Sequence, residues 1–234
     1  HPIIGSLRQA KSFLHPSLAH PCRPALRDAA LSHDVRGPRG FCCETPEQLL
    51  EAWERLKAID AAMPLVLKPA AGSGGDGVRL NATVADLHSV VAQMRSNART
   101  TTQHGRFSVA SMNTEEETIL EEMVGEPGQP SPTVYVVGAH VTVVADQLLT
   151  PCGTANLGNL SPATQVAPNV VEVMVRACVA LGTHLGLRGQ WGVDFVLDAM
   201  AMPVMVDLNM GRPNGSLSYY CWRARQPPPP HQPS

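Results

Sequence analysis

Two aspartates and one asparagine occupy matched positions in two alternating segments near the end of the chain. If residues 199–202 form a hairpin loop, Asp194 lies opposite Asp207, and Asn209 lies two positions further along the same face. Like charges that face each other on a sheet are destabilising, by up to about 1 kcal/mol. Carboxylate and amide oxygens are the ligands that Mg²⁺ prefers. The pattern therefore predicts a magnesium site at Asp194, Asp207 and Asn209; the alternative is an ordinary solvated strand face.

A lysine stands just before a glycine-rich segment in the first half of the chain. Lys68 ends a short apolar run, and the segment 70–77 after it contains four glycines. Glycines let backbone N–H groups converge on phosphate oxygens. A dinucleotide loop leads directly into a helix, a Walker loop ends in Gly-Lys-Ser/Thr, and a kinase loop precedes its lysine. None of these fits, which leaves a hairpin flap able to cover a triphosphate, or a plain flexible hairpin with a surface lysine.

A further cation follows the second acidic segment. Arg212 lies three residues after Asn209, within a run rich in glycine, proline and asparagine. Its forked guanidinium is suited to bind a phosphate or a carboxylate. A turn arginine in solvent is the alternative that the spacing leaves open.

Composition narrows the class of protein. The 234 residues carry a formal net charge of -2, which excludes a global attraction to nucleic acid or to anionic lipid. No apolar run is long enough for a membrane span. The six cysteines form no C-x-x-C pair, and scattered free thiols favour a reducing compartment. We therefore expect a soluble, cytoplasmic domain. The chain starts at His1 without a leader pattern, which is typical of a fragment or a trimmed product.

Periodicity and turn signals predict a mixed α+β order of elements. The predicted helices are 7–18, 47–58 (with Thr45 as N-cap and Pro46 at its first position), 84–94 and 170–185. The predicted strands are 65–68, 78–80, 119–124, 134–137, 141–144, 191–197 and 204–209, whereas 96–116 is predicted to be a loop and 150–164 to be turn-rich. In the last two strands, the alternation predicts that Val193, Phe195 and Leu197, and then Val204, Val206 and Leu208, share the apolar faces.

Together these motifs resemble the ATP-grasp superfamily of carboxylate-amine ligases. The shared features are the strand that ends in Lys68 before the glycine-rich flap, the acidic segment 119–124, and the late acidic strands that end in Asp207-Leu208-Asn209. The resemblance covers residues 40 to 226, and the segments 131–134 and 211–215 look most similar to the pheganomycin-type peptide ligases.

The resemblance implies an α+β fold in which two subdomains grip ATP between antiparallel sheets. It implies a remnant of a preceding domain or linker at 1–40, a lid subdomain at 41–124, a C-terminal subdomain with the magnesium site at 125–226, and a proline-rich tail at 227–234. The implied ATP-binding residues are Lys68, Gly72, Ser73, Gly74, Gly75, Gly77, Glu121, Glu122, Met123 and Val124.

Individual roles also follow from the resemblance. It implies that Lys68 contacts the phosphates, and that the backbone of the flap glycines lies over them. Glu121 accepts from the adenine amino group, and main-chain groups of Glu122 and Val124 pair with the ring edge. Lys68 and Arg212 are the implied catalytic cations.

The activity implied is ATP-dependent ligation with Mg²⁺. A small-molecule carboxylate becomes an acyl phosphate, and an amine attacks it to form an amide or peptide bond. The main alternative is a catalytically silent ATP-binding module of a larger protein. A kinase that stops at the phosphorylated product is a more remote one. Neither a nucleic acid nor a membrane is an expected partner, and the sequence does not indicate an oligomeric state.

Overall fold

A computed structural model describes residues 13–15, 34–70, 77–103, 117–126, 129–151, 153 and 156–210, without the side chains of 97–103. The predicted N-terminal helix 7–18, most of the glycine-rich flap, and everything after residue 210 lie outside these residues, apart from the short segment 13–15. Within the described part, no helix is both long and apolar enough to cross a membrane.

The first sheet is antiparallel and has three strands in the order β1-β3-β2. The strands are β1 (Gly40–Cys43), β2 (Leu65–Pro69) and β3 (Thr118–Glu122). Leu65, Leu67 and Leu120 point to one face, where they form a core with the helices. Because side chains alternate along a strand, Lys68 and Glu121 share the opposite face.

Two helices cover the apolar face of this sheet. Helix α1 (Pro46–Ile59) begins as predicted: the Thr45 hydroxyl accepts from the amide of Gln48, and Pro46 opens the helix. Helix α2 (Val84–Gln103) buries Leu87 and Val91. These apolar stripes at helical spacing are what attach the helices to the sheet.

The second sheet is antiparallel and has five strands in the order β6-β5-β4-β7-β8. The strands are β4 (Pro132–Val137), β5 (His140–Leu149), β6 (Asn156–Leu160), β7 (Gln190–Leu197) and β8 (Pro203–Met210). Helix α3 (Pro168–His184) packs on one face through Met174, Cys178 and Leu181. The other face, which we call the open face, carries Asp194 and Asp207.

The two antiparallel sheets and their helices confirm the α+β prediction. The subdomain boundaries at 40, 124 and 226 remain predictions. Phe13 and Leu14, from the described N-terminal segment, lie in the same core as α3. Because His15 follows them directly, this segment brings a buried imidazole to the junction of the sheets.

Several local predictions were wrong. Helix α2 runs nine residues past the predicted end at 94, through part of the predicted loop 96–116, because no glycine or proline interrupts it before Gln103. The predicted turn-rich region 150–164 contains β6, whose composition has no β-branched residue to signal a strand. The predicted strand 78–80 is reduced to one antiparallel bridge between Arg79 and Leu67.

A β-bulge in β8 corrects the predicted faces of the last hairpin. Leu197, and not Asp198, lies opposite Pro203, and the register then skips Val206 between Met205 and Asp207. Leu208 faces the α3 core as predicted, but because of this extra residue Met205 faces that core in place of the predicted Val204 and Val206.

Candidate functional site

A buried ionic cluster lies on the sheet face that carries Lys68. The Lys68 ammonium is 2.8 Å from one carboxylate oxygen of Glu121, and Nε2 of His15 is 2.6 Å from the other. Burial by itself raises the pKa of Glu121, but the charges and hydrogen bonds of Lys68 and His15 outweigh it and hold that pKa below its ordinary value. Glu121 is therefore a stable anion that anchors Lys68.

Lys68 also connects the two sheets. Its ammonium donates to the main-chain oxygen of Val206 at 2.7 Å, across 138 positions of sequence. Val206 is the residue that the bulge inserts, and Asp207 comes directly after it. An ammonium has three protons, so these two bonds leave capacity for one further acceptor such as a phosphate oxygen. The lysine of the first sheet and the acidic strand of the second are thus neighbours.

The acidic hairpin has the predicted pairing. Asp194 on β7 lies opposite Asp207 on β8, and Asn209 lies opposite Gly192, two positions further along β8. The turn has a different register from the one expected, but the bulge at Val206 compensates for it, so both carboxylates still reach the open face. This is the arrangement of oxygen donors that the sequence predicts for a divalent cation.

Two hydrogen bonds fix the orientation of the Asp194 carboxylate and of the Asn209 amide. The two carboxylate oxygens of Asp194 accept from the Thr133 hydroxyl at 2.7 Å and from Nδ2 of Asn209 at 2.9 Å. Since a carboxylate only accepts, the amide of Asn209 must present its nitrogen to Asp194, which turns its oxygen elsewhere. Each carboxylate oxygen has a second lone pair, so both aspartates and the Asn209 oxygen remain suitable ligands for Mg²⁺.

Among the described residues, no group of three or more His, Cys, Asp and Glu side chains is arranged to hold a metal. The candidate site contains two carboxylates, and the predicted third protein ligand is the amide oxygen of Asn209. Two carboxylates that leave the other positions to water and phosphate oxygens are typical of magnesium bound together with a nucleotide. The donor set fits Mg²⁺, and its role as a magnesium site remains a prediction.

The side chain of Glu122 is held by two arginines. Its carboxylate forms ion pairs with Arg36 and, at 2.6 Å, with Nε of Arg39, and it also accepts from the Arg39 amide at 2.9 Å. Burial raises the pKa of Glu122, but the Arg39 amide and side chain, followed by Arg36, lower it overall. This carboxylate therefore ties the segment before β1 to the end of β3.

The segment expected to hold adenine already uses some of its main-chain donors. The Glu122 amide donates to the Arg39 oxygen, and the Met123 amide donates to the Pro64 oxygen, both at 2.8 Å. The Glu121 side chain, expected to accept from adenine, is buried against Lys68 and His15. The adenine-binding roles of Glu121, Glu122, Met123 and Val124 remain predictions.

The flap is described only at its two ends. Gly77 has a φ of +73°, and a Cβ there would lie 3.1 Å from Cγ of Pro69, so this position favours glycine at the base of the flap. Gly72, Ser73, Gly74, Gly75 and Arg212 lie outside the described residues. Their predicted contacts with phosphate remain predictions.

Two residues of the site, His15 and Thr133, were not found from the sequence, and the contact of Gln147 with Thr133 was not foreseen. His15 comes from a segment whose place in the fold has no local signal. Thr133 lies opposite Asp194 because β4 and β7 pair, and Gln147 comes from the next strand, β5. The alternation along β4 places Thr133 on the same face as Tyr135. If the order of the strands had also been known, this position would have placed Thr133 beside Asp194. Hairpin reasoning alone does not give that order.

We compared the sequence and the fold with those of known proteins. A family model described as an ATP-grasp domain matches residues 39–216. The chain belongs to the ATP-grasp family. A search of the curated protein sequences returns no match. The family match confirms the superfamily named from the sequence motifs, whereas the likeness to pheganomycin-type ligases remains a prediction.

Solved structures with the same fold include three nucleotide complexes. The ADP complex of an N5-carboxyaminoimidazole ribonucleotide synthetase is 20% identical, with a TM-score of 0.57, over 82% of this chain and 44% of that one. The biotin carboxylase–βγ-ATP complex from Campylobacter jejuni is 16% identical, with a TM-score of 0.63, over 94% and 43%. D-alanine–D-alanine ligase from Bacillus anthracis with ATP is 13% identical, with a TM-score of 0.51, over 80% and 53%. This ATP-grasp chain thus spans about half, or less, of these proteins.

Proposed function

We propose that this ATP-grasp chain carries the nucleotide and magnesium site of an ATP-dependent ligase, which activates a small-molecule carboxylate for attack by an amine. One observation carries the proposal. The Lys68 ammonium binds the main chain at Val206, directly before Asp207, and Asp207 faces Asp194 across the hairpin. A phosphate-binding cation and a pair of cation-binding carboxylates therefore meet at one junction between the sheets.

The chemistry follows from these groups. A substrate carboxylate oxygen attacks the γ-phosphorus of ATP, the bond to the ADP oxygen breaks, and an acyl phosphate forms. An amine then attacks the acyl carbon, phosphate leaves with the bonding electrons, and the amine loses a proton to give the amide. Mg²⁺ held by Asp194, Asp207 and Asn209 would neutralise charge on the transferring phosphoryl group. No side chain needs to act as a nucleophile.

The residues of the chain contribute position and charge. Lys68, held by Glu121 and Val206, presents its remaining N–H to a phosphate oxygen without having to be ordered on binding. The flap from Gly72 to Gly77 supplies backbone N–H groups above the phosphates and excludes water. Arg212 provides a second cation for the transferring group. Such preorganised charges are the main source of rate in phosphoryl transfer.

The setting of the reaction is part of the proposal. Cys43 and Cys178 are buried free thiols, as in proteins of a reducing compartment, so we place the activity in the cytoplasm. The substrates are small molecules, and neither a nucleic acid nor a membrane is needed for the reaction.

The test is ADP release in the presence of Mg²⁺ and ATP, with a panel of carboxylates and amines offered singly and in pairs. We expect release that requires both a carboxylate and an amine and that is lost in Asp207→Ala. The matched control is Glu172→Gln on the exposed side of α3, which removes an acidic charge far from the hairpin and leaves activity intact.

The other outcomes separate the alternatives. ATP-dependent thermal stabilisation without turnover on any pair of substrates would identify a silent nucleotide-binding module. Transfer of phosphate to a stable acceptor without an amine would identify a kinase. Full activity in Asp207→Ala would overturn the assignment of the magnesium site.

A further inference from the structure

A continuous row of hydrogen bonds crosses the open face of the five-stranded sheet. Asn156 donates through Nδ2 to the Gln147 amide oxygen at 3.2 Å. Gln147 donates to the Thr133 hydroxyl, which donates to Asp194 at 2.7 Å. Asn209 donates to the other oxygen of Asp194 at 2.9 Å. The row therefore includes one residue from every strand of the sheet, and it meets at the carboxylate of Asp194.

The direction of these bonds is determined by chemistry. A carboxylate accepts only, so the Thr133 hydroxyl must use its proton on Asp194 and can then only accept from its other side. Gln147 therefore has to present its NH₂ group to Thr133, which leaves its oxygen to accept from Asn156. Each donor thus fixes the orientation of the next, and the row has a single direction toward Asp194.

The geometry makes Thr133 the decisive member of this row. Its Cα lies opposite that of Asp194 in the β4–β7 register, and the residue is only 2% exposed. A buried hydroxyl held on both sides has little freedom to rotate, and it restrains the carboxylate that it contacts.

We propose that Thr133, supported by Gln147, is a positioning residue that orients Asp194 for divalent-cation binding. This inference rests on the proposed function, because it assigns Asp194 to the magnesium site. In this role neither residue needs to contact the cation or the nucleotide. Partners that orient a metal ligand affect affinity through the geometry of that ligand, so their loss weakens metal binding by about 10-fold to 100-fold.

The test measures Mn²⁺ binding to the full chain with ADP by electron paramagnetic resonance, a readout independent of turnover. Thr133→Val removes the hydroxyl at nearly constant volume and is expected to weaken Mn²⁺ binding by at least about 10-fold. Thr133→Ser keeps the hydroxyl and is expected to bind as the unmodified chain does. In activity assays, the Mg²⁺ concentration for half-maximal rate should rise in Thr133→Val, with the maximal rate at saturating Mg²⁺ largely retained.

The matched control is Thr142→Val. Thr142 is in the same sheet and donates its hydroxyl to the Tyr135 main-chain oxygen at 2.9 Å, without contact to Asp194. Its variant should leave Mn²⁺ affinity unchanged. If Thr133→Val binds Mn²⁺ as well as Thr142→Val does, the positioning role is overturned while the proposed function stands.

Two further outcomes complete the test. If Thr133→Val does not fold, by circular dichroism, then Gln147→Met decides: weaker Mn²⁺ binding supports the proposal, and unchanged binding overturns it. Failure of the unmodified chain to bind Mn²⁺ with ADP overturns the proposed function, and the positioning role with it.

Discussion

The ammonium of Lys68 lies 2.8 Å from the carboxylate of Glu121, and both side chains are buried, at 10% and 5% exposure. Removing one partner of a buried ion pair leaves the other charge poorly compensated, which is more costly than replacing both partners. The pair is therefore a structural requirement at the same time as a candidate phosphate contact, and the two roles are separable by experiment.

Lys68→Met should lower the free energy of unfolding by about 3 kcal/mol, because His15 is then the remaining ion-pair partner of the buried Glu121 charge among the described residues. The double variant Lys68→Met/Glu121→Gln should be less destabilised than the sum of the single changes. Chemical denaturation measures all three. Arg95→Met breaks the exposed Glu47–Arg95 pair and should cost at most about 1 kcal/mol. If the change in the free energy of unfolding of the double variant equals the sum of the two single changes, Lys68 and Glu121 are not energetically coupled.

Acid should destabilise the protein partly through Glu122. The pKa of Glu122 in the folded chain lies below its ordinary value of 4.5, so the unfolded chain binds a proton more readily. The stabilisation is present above pH 4.5 and is lost as the pH falls through the lower folded pKa. Glu122→Gln should therefore reduce stability at neutral pH and flatten its fall below pH 4.5 in urea titrations. The same acid dependence in variant and unmodified chain would contradict this assignment.

Asp207→Asn should separate stability from cation binding. The change removes one of two like charges that face each other across the hairpin, so the free energy of unfolding should rise, by up to about 1 kcal/mol. Stabilisation of the fold by ADP with Mg²⁺ should be lost in the same variant. Thermal melts with and without ADP and Mg²⁺ measure both. A variant that keeps its full response to ADP and Mg²⁺ would show that Asp207 is not a ligand.

Gly182→Ala should destabilise the fold even though alanine favours a helix. A Cβ at position 182 would lie 2.8 Å from Cζ2 of Trp191 and 3.0 Å from the Gly138 oxygen, to which the indole nitrogen donates at 2.7 Å. Overpacking of this kind costs about 1–3 kcal/mol, against a gain in helix propensity of about 1 kcal/mol. Thermal melts and tryptophan fluorescence report the change. Gly158→Ala, where the nearest atom is 3.9 Å away, is the control.

The parts of the fold with strong local signals were predictable. Thr45 and Pro46 mark the start of α1, and the apolar stripe of Met174, Cys178 and Leu181 marks α3. Strand β6 could not be predicted, because its residues form a strand only by pairing with β5. The pairing of β4 with β7 is likewise non-local, and for that reason the contact of Thr133 with Asp194 could not be predicted from the local alternation alone.

The candidate site was predictable where its residues are close in the chain. Asp194 and Asp207 face each other as the hairpin arithmetic predicts, although the arithmetic used a turn one residue too short and did not foresee the bulge. The two differences cancel at the acidic pair. They do not cancel between the bulge and the turn, where Met205 packs in the α3 core in place of the predicted Val204 and Val206, although Val204 is itself fully buried.

The extra residue at Val206 divides the last hairpin into two lengths with opposite side-chain phase. Between the turn and Val206, the alternation of side chains places Met205 in the hydrophobic core. Beyond Val206, the alternation places Asp207 on the open face, opposite Asp194. Shortening β8 by that one residue would invert every side chain on one of the two lengths, so insertions and deletions here are tolerated only in compensating pairs. A protein engineer who wishes to vary the connection between β7 and β8 therefore has to preserve the phase on both sides of the bulge.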